Sequence, residues 1–197
     1  MGVVRNGLVV VLAAVAAVSG CTDKPAAAPK VPSFGTSSPP SSSSRDRPIP
    51  RTCAGVASQT EVSDILQVAV TGQTLPVVGI PEPKINRTAR IDCYYGVPDG
   101  KDRTAAVVTI FLASYTDEAA ARKRMNSTVA DERDAGAKPG DVPVGPDKGV
   151  LLTGAKRTLI AVRGNNTVVV TVLPDLVAPE QAPSLMGSLA DKALTPR

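Results

Sequence analysis

The spacing of apolar and polar residues along the chain predicts three helices, over residues 58–69, 116–134 and 179–194. The first helix has the clearest pattern, because its apolar residues recur at helical spacing, at Val62, Ile65, Leu66 and Ala69. Ser58 and Glu61 occupy the two positions of a capping box at its start. Thr116 and the two acidic residues after it are typical of the start of the second helix.

The segments between these helices are rich in β-branched and apolar residues and predict strands over residues 75–80, 89–95, 105–114, 149–153, 158–163 and 167–173. Pro76 restricts the first of these to an edge. The Gly- and Pro-rich stretch 136–146 is predicted as a loop. Short turns join most strands, so we expect an α+β fold: a mostly antiparallel sheet of about five strands with two to three helices packed on one face.

The first 20 residues have the pattern of a signal peptide. Arg5 precedes an apolar run, residues 8–18, that is too short to span a membrane, and small residues follow it. The sequence Val18-Ser19-Gly20-Cys21 resembles a lipobox, which implies cleavage before Cys21 and attachment of a lipid to its thiol. The alternative is ordinary secretion with an accidental cysteine. We expect the first case, which anchors the chain at the outer face of the cell membrane.

Residues 21–50 are predicted to be a lipid anchor and a disordered tether, because their Ser/Pro-rich sequence offers little apolar surface to bury. Residues 51–197 then form a single globular domain. The domain has 17 basic and 16 acidic residues, a net charge of +1. A charge so near zero, with few aromatic residues, argues against nucleic acid as a partner.

Cys53 and Cys93 remain once Cys21 is assigned to the anchor. An even pair of cysteines in an exported domain predicts a disulfide. The alternative, a redox-active pair, lacks the close spacing that such motifs use. Closing a loop of this length contributes roughly 3–4 kcal/mol on the chain-entropy model.

Histidine is absent from the chain. This excludes the Ser-His-Asp and Cys-His mechanisms and nearly all catalytic zinc sites. We therefore predict no catalytic residues, no metal and no cofactor. The acidic run at residues 131–134 lacks the ligand alternation of a calcium loop.

Two further groups of residues are candidate sites. The basic run at residues 122–124 is predicted to be a solvated helix face, with contact to an anionic lipid or polymer as the alternative. Tyr94 and Tyr95 point to opposite faces of their strand, so one ring lies in the core and the other lies at the surface or lines a pocket.

The lipobox, the Ser/Pro tether, a cysteine just before the first helix and Cys93-Tyr94 on a strand together resemble the uncharacterised cell-envelope lipoproteins of mycobacteria and related actinobacteria. The resemblance covers residues 53–194. It implies an envelope domain with no assigned molecular activity and no active-site residues to carry over. We expect the domain to be a monomer.

Two functions are compatible with these observations. The first is a non-enzymatic binding or accessory module that presents one face of its sheet to an envelope protein, polymer or lipid. The second is a carrier of a lipid or other apolar ligand in a cavity between helices and sheet. The second is suggested by small residues that could leave space, namely Ala105, Ala106, Ala113 and Ala119–Ala121. Catalysis by carboxylates is a third, weaker possibility.

Overall fold

The computed structural model describes residues 46–196. Within the described range the strands are β1 (Gln73–Gly79), β2 (Arg87–Val97), β3 (Val108–Tyr115), β4 (Lys138–Val144), β5 (Asp147–Thr153), β6 (Arg157–Arg163) and β7 (Asn166–Val172). The α-helices are α1 (Cys53–Val56), α2 (Gln59–Leu66), α3 (Glu118–Asp134) and α4 (Ala182–Leu194).

All of these strands form one antiparallel sheet in the order β1-β2-β3-β7-β6-β5-β4. The chain makes a three-stranded meander, crosses the sheet through α3, and makes a four-stranded meander that returns from the far edge. The two meanders meet where β3 pairs with β7 at the centre. Because α3 links a central strand to an edge strand, it must pass over one face of the sheet.

The alternation of side chains along β3 defines the two faces of the sheet. Val108, Ile110 and Leu112 are buried on the inner face, in a core shared with α1, α2 and α4. Ala113 and Tyr115 lie on the outer face and form a second, smaller core cluster with the first turns of α3. The sheet therefore buries apolar side chains on both of its faces.

The prediction of about five strands with two to three helices on one face is wrong, although the class is α+β. Among residues 46–196 there are seven strands and four α-helices, and α3 packs on the face opposite to the other three. The short helix α1 was not predicted. Helix α3 has few apolar residues, so its sequence shows that a helix is present but not which face of the sheet it covers.

Strand β4 was predicted as a loop because it contains Pro139, Gly140 and Pro143. It is an edge strand that pairs with β5 alone. Prolines are tolerated at an edge, since only one side of the strand has to donate hydrogen bonds to a neighbour. The length of the pairing, from Lys138 to Val144, makes this a full strand of the sheet.

The predicted disulfide between Cys53 and Cys93 is present, with 5.5 Å between the two Cα atoms. It joins α1 to β2 across the inner face, where both cysteines are buried. Beside it, the hydroxyl of the buried Tyr95 donates a hydrogen bond of 2.8 Å to the carbonyl of Ala57. The disulfide and this bond fix the N-terminal helices to β2 on the inner face.

The chain is already held by the domain at Asp46 and Arg47. The buried guanidinium of Arg47 donates to the carbonyl oxygens of Ala193, near the end of α4, and Gly55. The side-chain amide of Asn166 donates to the Arg47 carbonyl at 2.9 Å. A cation at a helix C-terminus is stabilised by the helix dipole, so this contact holds Arg47 against the end of α4.

Candidate functional site

The outer face of the sheet carries a cleft of about 760 Å³, bounded by the sheet, by α3 and by the loops at one end of the strands. We call it the outer cleft. Helix α3 begins over the end of β3, where Ala120, Ala121 and Met125 pack against Tyr115 and Ala113. From there it runs diagonally toward β4, and the sheet on its other side stays open to solvent. The cleft is the space between α3, the open part of the sheet and the loops at the end of the strands.

The start of α3 is fixed by Asp117, whose carboxylate accepts a hydrogen bond of 2.8 Å from the amide N–H of Ala120. This bond, together with one from the Thr116 hydroxyl, lowers the pKa of Asp117. Further along the helix, Arg124, Met125, Thr128 and Glu132 line the outer cleft. The helix therefore contributes both apolar and charged groups to one wall.

The floor of the cleft consists of rows of side chains that lie side by side across three paired strands. One row is Thr109, Thr171 and Thr158, which the register aligns on β3, β7 and β6. The hydroxyl oxygens of Thr158 and Thr171 are 3.3 Å apart, and the Thr109 hydroxyl has no hydrogen-bond partner within residues 46–196. This row, called the hydroxyl row below, offers donors and acceptors to a bound molecule.

The next row, two residues further along each strand, is apolar and consists of Phe111, Val169 and Ile160. The ring of Phe111 contacts the ring of Tyr94 edge to face, with centroids 5.7 Å apart. The guanidinium of Arg90 lies 5.1 Å from the Phe111 centroid, and its Nε is 2.5 Å from an oxygen of Asp92. The apolar row is thus held in place on its β2 side by an aromatic contact and an ion-paired arginine.

The loops at one end of the sheet form the rim of the cleft. Val172 of β7 pairs with Val108 of β3 on one side and with Arg157 of β6 on the other. The β2–β3 connection, which carries Arg103, and the β5–β6 turn, which carries Lys156, therefore lie at the same end of the sheet. The hydroxyl row is one residue in from this end, so the rim cations and the hydroxyls are neighbours.

Arg103 is positioned by a single turn of 3-10 helix that Asp102 caps. The Asp102 carboxylate accepts hydrogen bonds from the hydroxyl of Thr104 and, at 2.8 Å, from its amide N–H, and these bonds lower the pKa of Asp102. The Arg103 guanidinium lies 5.8 Å from the centre of the Tyr94 ring. The cap and the stacking contact together hold this cation at the rim.

The residues that line the cleft carry an excess of positive charge. Five of them are cationic, and Glu132 is the one acidic residue among those described. Arg87 and Arg90 are paired with Glu82 and Asp92, respectively. The remaining cations form no ion pair with any residue of the described range; they are Arg103, Arg124 and Lys156. A ligand of negative charge is therefore favoured over a positive one.

Some of the residues that the sequence proposes for a site line the outer cleft, and others lie away from it. Tyr95 is in the core and Tyr94 lines the outer cleft, as the alternation along β2 predicted. Of the basic run 122–124, only Arg124 lines the cleft. Of the alanines, Ala106 and Ala113 line it, whereas Ala120 and Ala121 pack tightly against the sheet. Cys21, which the sequence predicts to be the lipid attachment site, lies outside the described residues.

Sequence reasoning missed the hydroxyl row, Arg103 and Lys156. The sequence of β7 contained an indication of the site. Thr167, Val169 and Thr171 alternate with buried valines, which indicates that the second face of this strand is partly polar. Recognising the site also needed the register of β3, β7 and β6, because residues of the hydroxyl row are up to 62 positions apart in the chain.

No set of three or more His, Cys, Asp or Glu residues in the described part of the chain is placed to hold a metal ion. In the same range, no helix combines the length and the apolar character needed to cross a membrane.

Comparison with known proteins identifies no family. No family model matches the chain, and no curated protein matches it. Among solved structures, it is similar to the extracellular domain of PknH from Mycobacterium tuberculosis, with 13% sequence identity, a TM-score of 0.45, and coverage of 73% of this chain and 94% of that chain. At this level of similarity the match says nothing about function.

Proposed function

We propose that this protein is a non-enzymatic binding module of the cell envelope that takes a small-molecule ligand into the outer cleft. The observation that carries the proposal is the cleft itself, a concavity of about 760 Å³ with an apolar row, a hydroxyl row and a charged rim. Ligand sites typically have volumes of roughly 300–1,000 Å³ and combine apolar walls with a few polar groups.

The concave shape favours a small ligand over a macromolecular partner docked flat on the sheet. Helix α3 and the rim loops stand above the outer face, and α1, α2 and α4 cover the inner one. A partner protein or polymer would have to insert a narrow segment to reach the floor. Of the two functions suggested by the sequence, the carrier of a ligand between helix and sheet therefore fits the geometry better.

The residues of the cleft support binding rather than catalysis. Glycosidase chemistry needs two carboxyl groups on either side of the reacting bond, and Glu132 is the one carboxylate among the described lining residues. The chain has no histidine to act as a general base. The threonine hydroxyls of the floor have no neighbouring base, so they act as hydrogen-bonding groups.

The cellular address rests on the N-terminal sequence. The signal peptide and the lipobox favour a chain held at the outer face of the cell membrane by a lipid on Cys21. A binding module on a tether at this position can collect a ligand from the envelope.

Native mass spectrometry of the full chain, purified from its host membrane in a mild detergent, tests the proposal. We expect a bound small molecule on the unaltered chain and its loss from Val169→Trp, which fills the floor of the cleft. Val78→Trp is the matched control, because Val78 is 56% exposed on the edge strand β1, away from the cleft. A chain that carries no small molecule, or carries it equally in Val169→Trp, contradicts the proposal.

A further inference from the structure

We propose that the ligand of the outer cleft is an amphiphile with a single carboxylate, of the long-chain fatty-acid type. Its carboxylate lies at the rim between Arg103 and Lys156, and its apolar chain lies along the Phe111 row toward α3. The inference rests on the proposed function, and it adds the chemical class and the orientation of the ligand. Three independent features of the cleft lead to it.

The first feature is the unbalanced charge at the rim. Arg103 and Lys156 are exposed and have no ion-pair partner within residues 46–196. They lie at the same end of the sheet: Arg103 contacts Tyr94 of β2, Lys156 precedes β6, and three strand spacings of about 4.8 Å separate β2 from β6. An anionic group at this end is attracted by both side chains, and a cationic group is repelled by both.

The second feature is the hydroxyl row next to the rim. A carboxylate has two oxygens, each of which accepts hydrogen bonds, and the hydroxyls of Thr109 and of the Thr158–Thr171 pair can donate to them. The hydroxyl of Thr109 is the free one of the three within the described range. An anion at the rim thus meets donors on the floor as well as cations at the sides.

The third feature is the change from polar to apolar along the strand direction. Beyond the hydroxyl row come Phe111, Val169 and Ile160, and beyond these come Ala113 and Met125 below the first turns of α3. Among the described residues, the polar groups toward the α3 end are Arg87, which is paired with Glu82, the unpaired Arg124 and the hydroxyl of Thr167. The apolar row therefore separates two unpaired cations at the rim from one at the α3 end, which favours the rim for the single charged group of an amphiphile.

A carboxylate fits the rim better than a phosphate. Phosphate sites commonly use the amide N–H groups at a helix N-terminus. Helix α3 begins at Glu118, over the far end of β3, so its N-terminal amides lie away from the rim, and Ala135 and Gly136, just after its C-terminal end, line the cleft. The negative pole of the helix dipole at that end opposes any anion, and it opposes a doubly charged group more than a singly charged one.

The test uses the full chain in phosphatidylcholine nanodiscs at neutral pH and a dodecanoate probe with a photoactivated diazirine in its chain. Mass spectrometry of the labelled peptides locates the probe, so partition into the lipid does not obscure the result. Dodecanoate, dodecanol, dodecylammonium and dodecyl phosphate then compete for the labelled site. We expect dodecanoate to compete about tenfold better than dodecanol, which corresponds to about 1.4 kcal/mol, and dodecylammonium to compete worst.

Paired substitutions of matched charge test the orientation. Arg103→Gln with Lys156→Gln should reduce the advantage of dodecanoate over dodecanol to less than about twofold, because the rim loses both cations. Lys101→Gln with Lys148→Gln removes the same charge at exposed positions outside the cleft and should keep the advantage. Thr109→Val, which replaces a hydroxyl by a methyl group, should weaken dodecanoate more than dodecanol.

The outcomes separate this inference from the proposed function. If no cleft peptide is labelled and no compound competes, the long-chain ligand is wrong, and the binding function is then decided by the native mass spectrometry of the unaltered chain and Val169→Trp. If the cleft is labelled but dodecanol competes as well as dodecanoate, or the control pair has the same effect as the rim pair, the binding function stands and the anionic ligand is wrong. If dodecyl phosphate competes about tenfold better than dodecanoate, the carboxylate is wrong.

Discussion

The guanidinium of Arg90 lies 5.1 Å from the centre of the Phe111 ring, on the floor of the outer cleft. The two residues come from neighbouring strands, β2 and β3, and Arg90 is also paired with Asp92. The arginine therefore supports the ring from the side and is already neutralised by its own partner. This arrangement assigns Phe111 an apolar role in the cleft and leaves the recognition of charge to the rim.

Phe111→Ala should weaken the binding of dodecanoate and dodecanol equally, by about tenfold, because the loss is apolar contact area. The half-buried ring should cost the fold less than the 3–5 kcal/mol typical of a fully buried phenylalanine. Competition for the photolabelled site measures both affinities in one experiment. A loss confined to dodecanoate would assign Phe111 to charge recognition through Arg90 instead.

Arg163→Leu should lower the free energy of unfolding by about 3 kcal/mol, at the low end of the range for breaking a buried ion pair. The Arg163 side chain is 9% exposed and lies 2.6 Å from Asp147 and 2.7 Å from Asp191, so it joins β6 to β5 and to α4. Both carboxylates retain access to water, which reduces the cost of leaving them unpaired.

The control for this variant is Arg122→Leu, which removes an exposed pair with Glu118 on α3. Such pairs contribute about 0.3–0.5 kcal/mol. Chemical denaturation of the two variants checks the contrast. Equal losses would show that the burial of Arg163 contributes nothing to the stability of the fold.

Much of the fold could be predicted from local patterns, since the capping box at Ser58 and the alternation in β2 are determined by nearby residues. Both caps of that box form, with the Ser58 amide donating to Glu61 at 2.8 Å. Strand β4 was missed for the opposite reason. Its prolines are unfavourable by propensity, and only its position at the edge of the sheet makes them acceptable.

The candidate site could not be predicted in the same way, because it depends on pairing between distant strands. Thr109, Thr158 and Thr171 become neighbours only through the pairing of β7 with β3 and β6. The face of the sheet that α3 covers depends on how the chain crosses from β3 to β4. This crossing is known only when the order of the strands in the sheet is known. The disulfide could be predicted, because Cys53 and Cys93 are the two cysteines that remain when Cys21 is assigned to the anchor, and thiols oxidise in an exported domain.

The double variant Cys53→Ala, Cys93→Ala should lower the free energy of unfolding by about 3–4 kcal/mol, because the cross-link closes a loop of 40 residues in the unfolded chain. Denaturation of the unaltered chain with and without a reducing agent provides the reference. The reduced chain and the variant should agree to within about 1 kcal/mol. Ligand binding to the outer cleft should be unchanged under native conditions, since the disulfide is on the inner face.

The Asp102 cap predicts a pH dependence at the rim. Hydrogen bonds from the hydroxyl and then the amide of Thr104 lower the pKa of Asp102 below the usual 3.8. The cap therefore contributes fully above about pH 4, where the carboxyl is ionised in both states, and its contribution is lost as the pH falls through the lowered value. The amide resonance of Thr104, followed by NMR, should titrate with an inflection below 3.8, and Asp102→Asn should abolish it. An inflection at or above the usual value would show that the cap does not form.

Cys21→Ser should release the chain from the membrane and leave the signal peptide uncleaved by the lipoprotein peptidase, because the thiol that accepts the lipid is absent. Membrane fractionation and the mass of the N-terminal peptide measure the two effects together. Ser19→Thr changes a neighbouring small residue, keeps the thiol and serves as the control. Membrane association of the serine variant equal to that of the unaltered chain, with the same N-terminus in both, would contradict lipid anchoring. Photolabelling of the outer cleft should be the same in both, since Cys21 precedes the first described residue by 25 positions and belongs to the anchor rather than to the ligand site.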